Sequence, residues 1–141
     1  MKPTITILML LITFSALSQI HVTYDPISAQ SGFLVNQEIH KVGVFAKYSY
    51  KSTIQDTYAF DYSSYSYGIS LKFDEFSLLA GYTRNYLDVF RDDDISFIPD
   101  KIHLRSFSVG FIADVNRYLS VSALTDVLNL QTQVGFGIKL W

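Results

Sequence analysis

The groups of this 141-residue chain that could do chemistry are few and scattered. His21, His40 and His103 lie far apart, and none has a partner at the i,i+4 spacing that puts two ligands on one helix face. Cysteine is absent, which excludes disulfides and thiolate metal sites. Asp92, Asp93 and Asp94, with Asp100 beyond them, make an oxygen-rich run of the kind Ca²⁺ accepts, but without the glycine-punctuated EF-hand spacing. A solvated acidic loop accounts for that run. Tyr86, Phe90 and Phe97 surround it, and aromatics in an exposed loop are typical of partner contacts. The chain has no glycine-rich phosphate loop, nucleophile elbow or nucleotide fingerprint. His103, Ser106 and an aspartate would make a Ser-His-acid site only if the fold assembled them. The residues therefore predict no catalytic site, cofactor or metal.

Composition narrows the class. Net charge is −2, so no basic field is available for nucleic acid. Charged residues are 17% and aromatic ones 16%, with ten Tyr and eleven Phe. A soluble domain is usually about one quarter charged, so this chain is light in charge and rich in strand formers. Its length suits one domain.

The first 18 residues have a separate meaning. Lys2 precedes an apolar run from Ile5 to Leu17, and Ala16-Leu17-Ser18 offers small residues at −3 and −1 for cleavage before Gln19. That is the plan of a secretory signal, and the run is short of the ~20 residues a spanning helix needs. Residues 1–18 are expected to be a signal peptide and 19–141 a single domain.

What positions the charges is a chain of alternating segments. Six runs are clear, at roughly 42–50, 64–73, 76–86, 105–115, 118–126 and 132–141, and residues 20–25 and 33–38 read as shorter strands. Lys51 to Tyr62 reads as a loop, and Tyr86 to His103 as the longest break. Asp74-Glu75 reads as a tight turn and Asn116-Arg117 as another, with Asn suited to a positive φ. In the last run Val134, Phe136, Ile138 and Leu140 alternate with Gly135, Gly137, Lys139 and Trp141.

Three features separate a membrane barrel from a soluble sandwich. The clear runs are near the ~9–11 residues of a tilted membrane-spanning strand, where soluble strands average ~5–6. Short turns and long connections fall on opposite sides. Gly43, Gly68, Gly81, Gly110, Gly135 and Gly137 all lie opposite the apolar face. That face carries Tyr48, Tyr50, Tyr65, Tyr67, Tyr82 and Phe107 toward the long loops, and Phe73 and Phe76 at the short turns. Two aromatic girdles around an aliphatic band match a bilayer. The glycine-lined face would be the lumen, with Lys47, Lys72, Asp114 and Lys139 as its charges. A salt-bridge cluster satisfying buried charge accounts for these four better than an ion path does. The lumen is expected to be too narrow for a diffusion pore.

On these patterns the chain resembles the small bacterial outer-membrane β-barrels of the eight-stranded, opacity-protein-like kind. It departs from them in two ways: only six strands are clear, and Lys139 and Gly137 stand where the closing strand of such barrels has apolar residues. The expected fold is all-β, an antiparallel up-and-down transmembrane β-barrel of eight strands in the bacterial outer membrane. The resemblance implies a non-catalytic barrel in contact with outer-membrane lipid. It would act through its extracellular loops, or as an accessory subunit of an envelope assembly such as a secretion or conjugation machine. A protein partner would meet the outer loops or an open barrel edge. The alternatives are an outer-membrane lipid-modifying enzyme and a secreted soluble lipocalin-like ligand-binding barrel.

Overall fold

The structure is a computed structural model and describes residues 19–55, 58–91 and 101–140. The expected signal segment, residues 1–18, lies outside the described residues, and so does Trp141. Eight strands follow one another: β1 (Gln19–Asp25), β2 (Gln30–Ile39), β3 (Val42–Gln55), β4 (Tyr58–Phe73), β5 (Phe76–Arg91), β6 (Lys101–Asp114), β7 (Leu119–Asp126) and β8 (Gln131–Lys139). Each pairs antiparallel with the next, and β8 pairs back onto β1, so the sheet is a closed up-and-down barrel. The shorter first two strands complete the ring: Ile20 lies opposite Ile138 and Val22 opposite Phe136.

Closure fixes the geometry. From Gln19 the ladder runs through Asn36, Phe45, Gly68, Gly81, Ser108 and Asp126 to Gln131, yet Gln19 itself pairs with Lys139. The ring thus closes eight residues out of step, and that stagger tilts the strands by ~35–45° from the barrel axis. Closure also removes the open edges that a flat sheet would leave unsatisfied in lipid.

Residue alternation gives the wall two unlike faces. Val22, Val44, Ile69, Val109, Phe136 and Ile138 all point outward and are exposed, Phe136 by 75%. Their inward neighbours are small or polar: His21, Ser49, Ser66, Ser70, Ser108 and Ser120 are each at most 2% exposed. The barrel is therefore greasy outside and largely polar inside, the reverse of a soluble barrel, whose polar side faces water.

Lumen glycines make room for their neighbours. Gly81 lies across from Gly68, and Phe45 pairs with Gly68 on its other side. His21 lies opposite Gly137, where an added Cβ would meet the imidazole at 2.5 Å. At Gly81 and Gly137 a large side chain, Phe45 or His21, lies in the space a Cβ would take, and at Gly68 the neighbouring backbone of β5 does.

Three readings from sequence are corrected. Residues 51–55 and 58–62, read as loop, are strand, and so are 86–91 and 101–103 of the stretch read as the longest break: β3 continues to Gln55, β4 begins at Tyr58, β5 runs to Arg91 and β6 begins at Lys101. Along these extensions the outward rungs turn polar or aromatic, as in Ser63–Tyr86–His103, while Leu87, Val89 and Ile102 fall on the other face, so the lipid-type alternation ends although the backbone ladder continues from Lys51–Tyr62 to Gln55–Tyr58. The Asn116-Arg117 turn is instead a four-residue connection, 115–118, in which Asn116 Oδ1 accepts the Tyr118 and Leu119 N–H groups at 2.8 and 2.9 Å. The side chain does the work there and no positive φ is needed; positive φ falls at Ala29, His40, Asp74 and Leu130.

Candidate functional site

Inside the barrel, charges meet near the short-turn end. Lys139 Nζ lies 2.6 Å from Asp114 Oδ2, and Gln19 Nε2 donates to Asp114 Oδ1 at 3.1 Å. Lys72 pairs with Glu38 at 3.2 Å, and Glu38 also accepts from Asn36 at 2.8 Å and from Ser77. Lys47 sits higher and is only 7% exposed, and its nearest opposite charges are Asp126 and Asp25. Sequence alternation counted Lys47, Lys72, Asp114 and Lys139 as the only lumen charges. Glu38, Asp25 and Asp126 also face inward, on strand ends too short or irregular for the pattern to assign.

At the opposite end Asp126 accepts from Asn85 Nδ2 at 2.7 Å, from Asn129 Nδ2 at 2.8 Å and from Ser106. Asp25 caps its own turn, accepting the Ile27 and Ser28 N–H groups at 2.9 and 3.1 Å. Thr23, Gln133, Gln30 and Ser49 link β1, β8, β2 and β3 by hydrogen bonds of 3.1 to 3.4 Å. Between the two polar ends Leu34, Phe45, Leu79, Ile112 and Leu124 form one apolar cluster, each at most 3% exposed. Polar, apolar, polar: the lumen is a packed interior with a dry middle layer.

This packing bears on the enzymatic alternatives. Ser106 points inward onto Asp126, while His103 lies on the outer face with its ring 4.7 Å from that of Tyr86. They are on opposite sides of one strand, so no Ser-His-acid site forms from them. Ser120 Oγ and His21 Nε2 are 3.1 Å apart, but Ser120 is 1% exposed and His21 fully buried, with no path for a lipid substrate.

The outer face is graded along the barrel axis. Across β4, β5 and β6, successive outward rungs read Phe73–Phe76–Ala113, Leu71–Leu78–Phe111, Ile69–Ala80–Val109, Tyr67–Tyr82–Phe107, Tyr65–Arg84–Arg105 and Ser63–Tyr86–His103, with Asp61–Asp88 beyond them on β4 and β5. Apolar side chains give way to tyrosine, then to arginine, then to carboxylates. From Phe73 to Tyr65 the rise is about 20 Å of barrel height, near the ~25 Å band of transmembrane barrels. An aromatic belt follows the same level around the wall: Phe33–Tyr48, Tyr48–Tyr65 and Tyr65–Tyr86 have ring centroids 5.8, 4.9 and 5.8 Å apart. Phe73 and Phe76 stack at 5.6 Å at the other rim. These are the proportions of a transmembrane β-barrel.

Above the belt the wall is lopsided. β3 to β6 have 14, 16, 16 and 14 residues, whereas β1, β2, β7 and β8 have 7, 10, 8 and 9. β6 pairs with β7 only over Ser108–Asp114, and β3 with β2 only as far as Tyr50. Four strands therefore stand proud of the rim as a sheet with two free sides. Tyr86, expected in a loop, is part of the β5 wall; Phe90 lies near the end of β5. Asp92, Asp93, Asp94 and Phe97 lie outside the described residues. Arg84 and Arg105 lay inside the runs 76–86 and 105–115, on the face shared with Tyr82 and Phe107, and sequence reasoning passed over them because it weighed only charges on the lumen face.

No protein-family model and no curated protein matches the chain. Among solved structures, it is similar to Ail, the attachment invasion locus protein of Yersinia pestis, at 12% identity, covering 87% of this chain and 91% of that one with a TM-score of 0.44. It is likewise similar to Ail in complex with the heparin analogue sucrose octasulfate, at 12% identity, 87% and 92% coverage and a TM-score of 0.45. The closed eight-strand ladder itself defines the fold.

Proposed function

We propose that this chain is a non-catalytic barrel of the bacterial outer membrane that works as a contact protein, presenting the raised β3–β6 sheet to a partner outside the cell. The observation that carries the reading is the lopsided wall. Spanning a bilayer requires ~9–11 residues per strand, and 16 in β4 and β5 exceed that need. Extra strand length on one side only adds surface above the membrane and two free edges that can take up another strand. Support for the membrane setting comes from the exposed aliphatic band between two aromatic levels. The dry cluster around Phe45 speaks against transport as the role.

The test is to replace the raised hairpin ends, residues 53–60 and 88–103, with two-residue turns. The expected outcome is a barrel that still assembles and shows a heat-modifiable band on an unboiled gel, while cell-surface adhesion or partner capture is lost. Unchanged contact activity with the sheet trimmed would sink the proposal, and recovery of the wild type as soluble periplasmic protein would sink the membrane setting.

A further inference from the structure

Arg84 and Arg105 are direct cross-strand partners on the outer face of β5 and β6. Like charges placed opposite one another on a sheet repel, and the fold would be better served by a neutral residue at either position. Among the described residues neither arginine forms an ion pair. Arg84 lies over the Tyr82 ring, 5.7 Å from its centroid. It borders an open groove of about 580 Å³ with Ser63, Tyr65, Tyr67, Tyr86 and His103, and Asp88 is the one carboxylate on its rim. Asp88 faces Asp61 of β4, two rungs above the arginine pair.

The level of the pair identifies what would settle it. One rung below are Tyr67, Tyr82 and Phe107, the aromatic boundary of the apolar band. The guanidinium groups therefore stand at the depth of lipid headgroups, where basic side chains draw anionic lipid. Two forked donors take a phosphate by parallel N–H···O bonds, which a lysine ammonium does only as a point charge. Tyrosine faces beside them offer flat apolar-polar surface of the kind that packs on a sugar ring.

We propose that Arg84, on the wall of this tyrosine-lined groove, and its cross-strand partner Arg105 hold the phosphate of a phosphorylated glycolipid of the outer leaflet. The site rests on the membrane reading above. It orients the barrel in its leaflet and fixes one side of the raised sheet against the headgroup layer. A lipid source is favoured over a dissolved anion because the groove opens directly onto the apolar band.

The experiment uses the whole barrel in detergent, with retained lipid counted by native mass spectrometry. The probes are diphosphoryl lipid A, its dephosphorylated form, and phosphatidylcholine. Wild type should keep diphosphoryl lipid A in preference to the other two. R84Q/R105Q should weaken that retention by about tenfold or more, and R84K/R105K should restore only part of it. Inorganic phosphate at millimolar concentration should not displace the lipid; displacement would make this a free-anion site and overturn the lipid assignment. Equal retention by wild type and R84Q/R105Q would also overturn it. Heat-modifiable mobility of each variant shows that it has folded. Wild type that fails to enter membranes at all defeats the membrane reading itself, a result distinct from an inserted barrel with no phosphate preference.

Discussion

Phe45 closes over Gly81: a Cβ added to the glycine would lie 2.8 Å from the phenyl Cζ. The ring and the glycine lie two strands apart, on β3 and β5, with Gly68 of β4 between them. The ring fills the middle of the lumen because three strands leave it room. Gly81→Leu would force the phenyl ring out of this layer or spread the wall. The expected result is failure to reach the heat-modifiable form. Normal assembly of Gly81→Leu would contradict the tight interior.

The same layer should block ions. Wild-type barrel in a planar bilayer is expected to show no steady single-channel conductance, because Leu34, Phe45, Leu79, Ile112 and Leu124 leave no wet path. Phe45→Ser removes the largest member of the cluster and should produce a measurable leak, at a stability cost of about 3–5 kcal/mol by analogy with Phe-to-small core changes. Steady conductance in the wild type would refute the dry layer.

Lys139 and Asp114 tie β8 to β6 across the mouth at 2.6 Å. Both side chains are only partly exposed, so losing one partner leaves the other poorly solvated. Asp114→Asn should cost about 1–3 kcal/mol in urea unfolding from vesicles, and adding Lys139→Met should recover part of it. The coupling read from the double-mutant cycle is the measurement. Additive effects would mean that the pair is not an energetic unit.

The apolar band predicts a directional response to charge. Phe136 points outward at 75% exposure near mid-wall, opposite Val22 of β1 and Val121 of β7. Phe136→Arg should lower folding into vesicles by about 2–4 kcal/mol, the depth-dependent cost of a cation on the lipid face. Tyr50→Arg, at the outer girdle, should cost about 1 kcal/mol or less. Equal penalties at the two sites would place the band elsewhere.

Strand identity and facing were legible wherever one face is apolar, because a bilayer enforces period-two alternation. Phe136, Ile138, Leu71 and Leu78 announce their direction without any knowledge of their partners, and the long polar stretches marked one side of the barrel even though 51–55 and 58–62 are strand and not loop. Once β3 to β6 rise past the apolar band the outward face turns polar, and Leu87 and Val89 are too few to mark 86–91 as a continuing wall. The ladder that keeps them extended is made of backbone hydrogen bonds, which composition does not record.

The sequence alone thus determined that this chain builds a barrel with its greasy side out, its glycines in and an aromatic boundary at each rim. Tertiary structure decided what depends on register between strands distant in the chain. It closes β1 on β8, and it gives Lys72 to Glu38 and Lys139 to Asp114. It puts Phe45 over two glycines and sets Arg84 opposite Arg105 at the headgroup level. Alternation says which way a residue points, and only the closed ring, staggered by eight residues, says whom it meets.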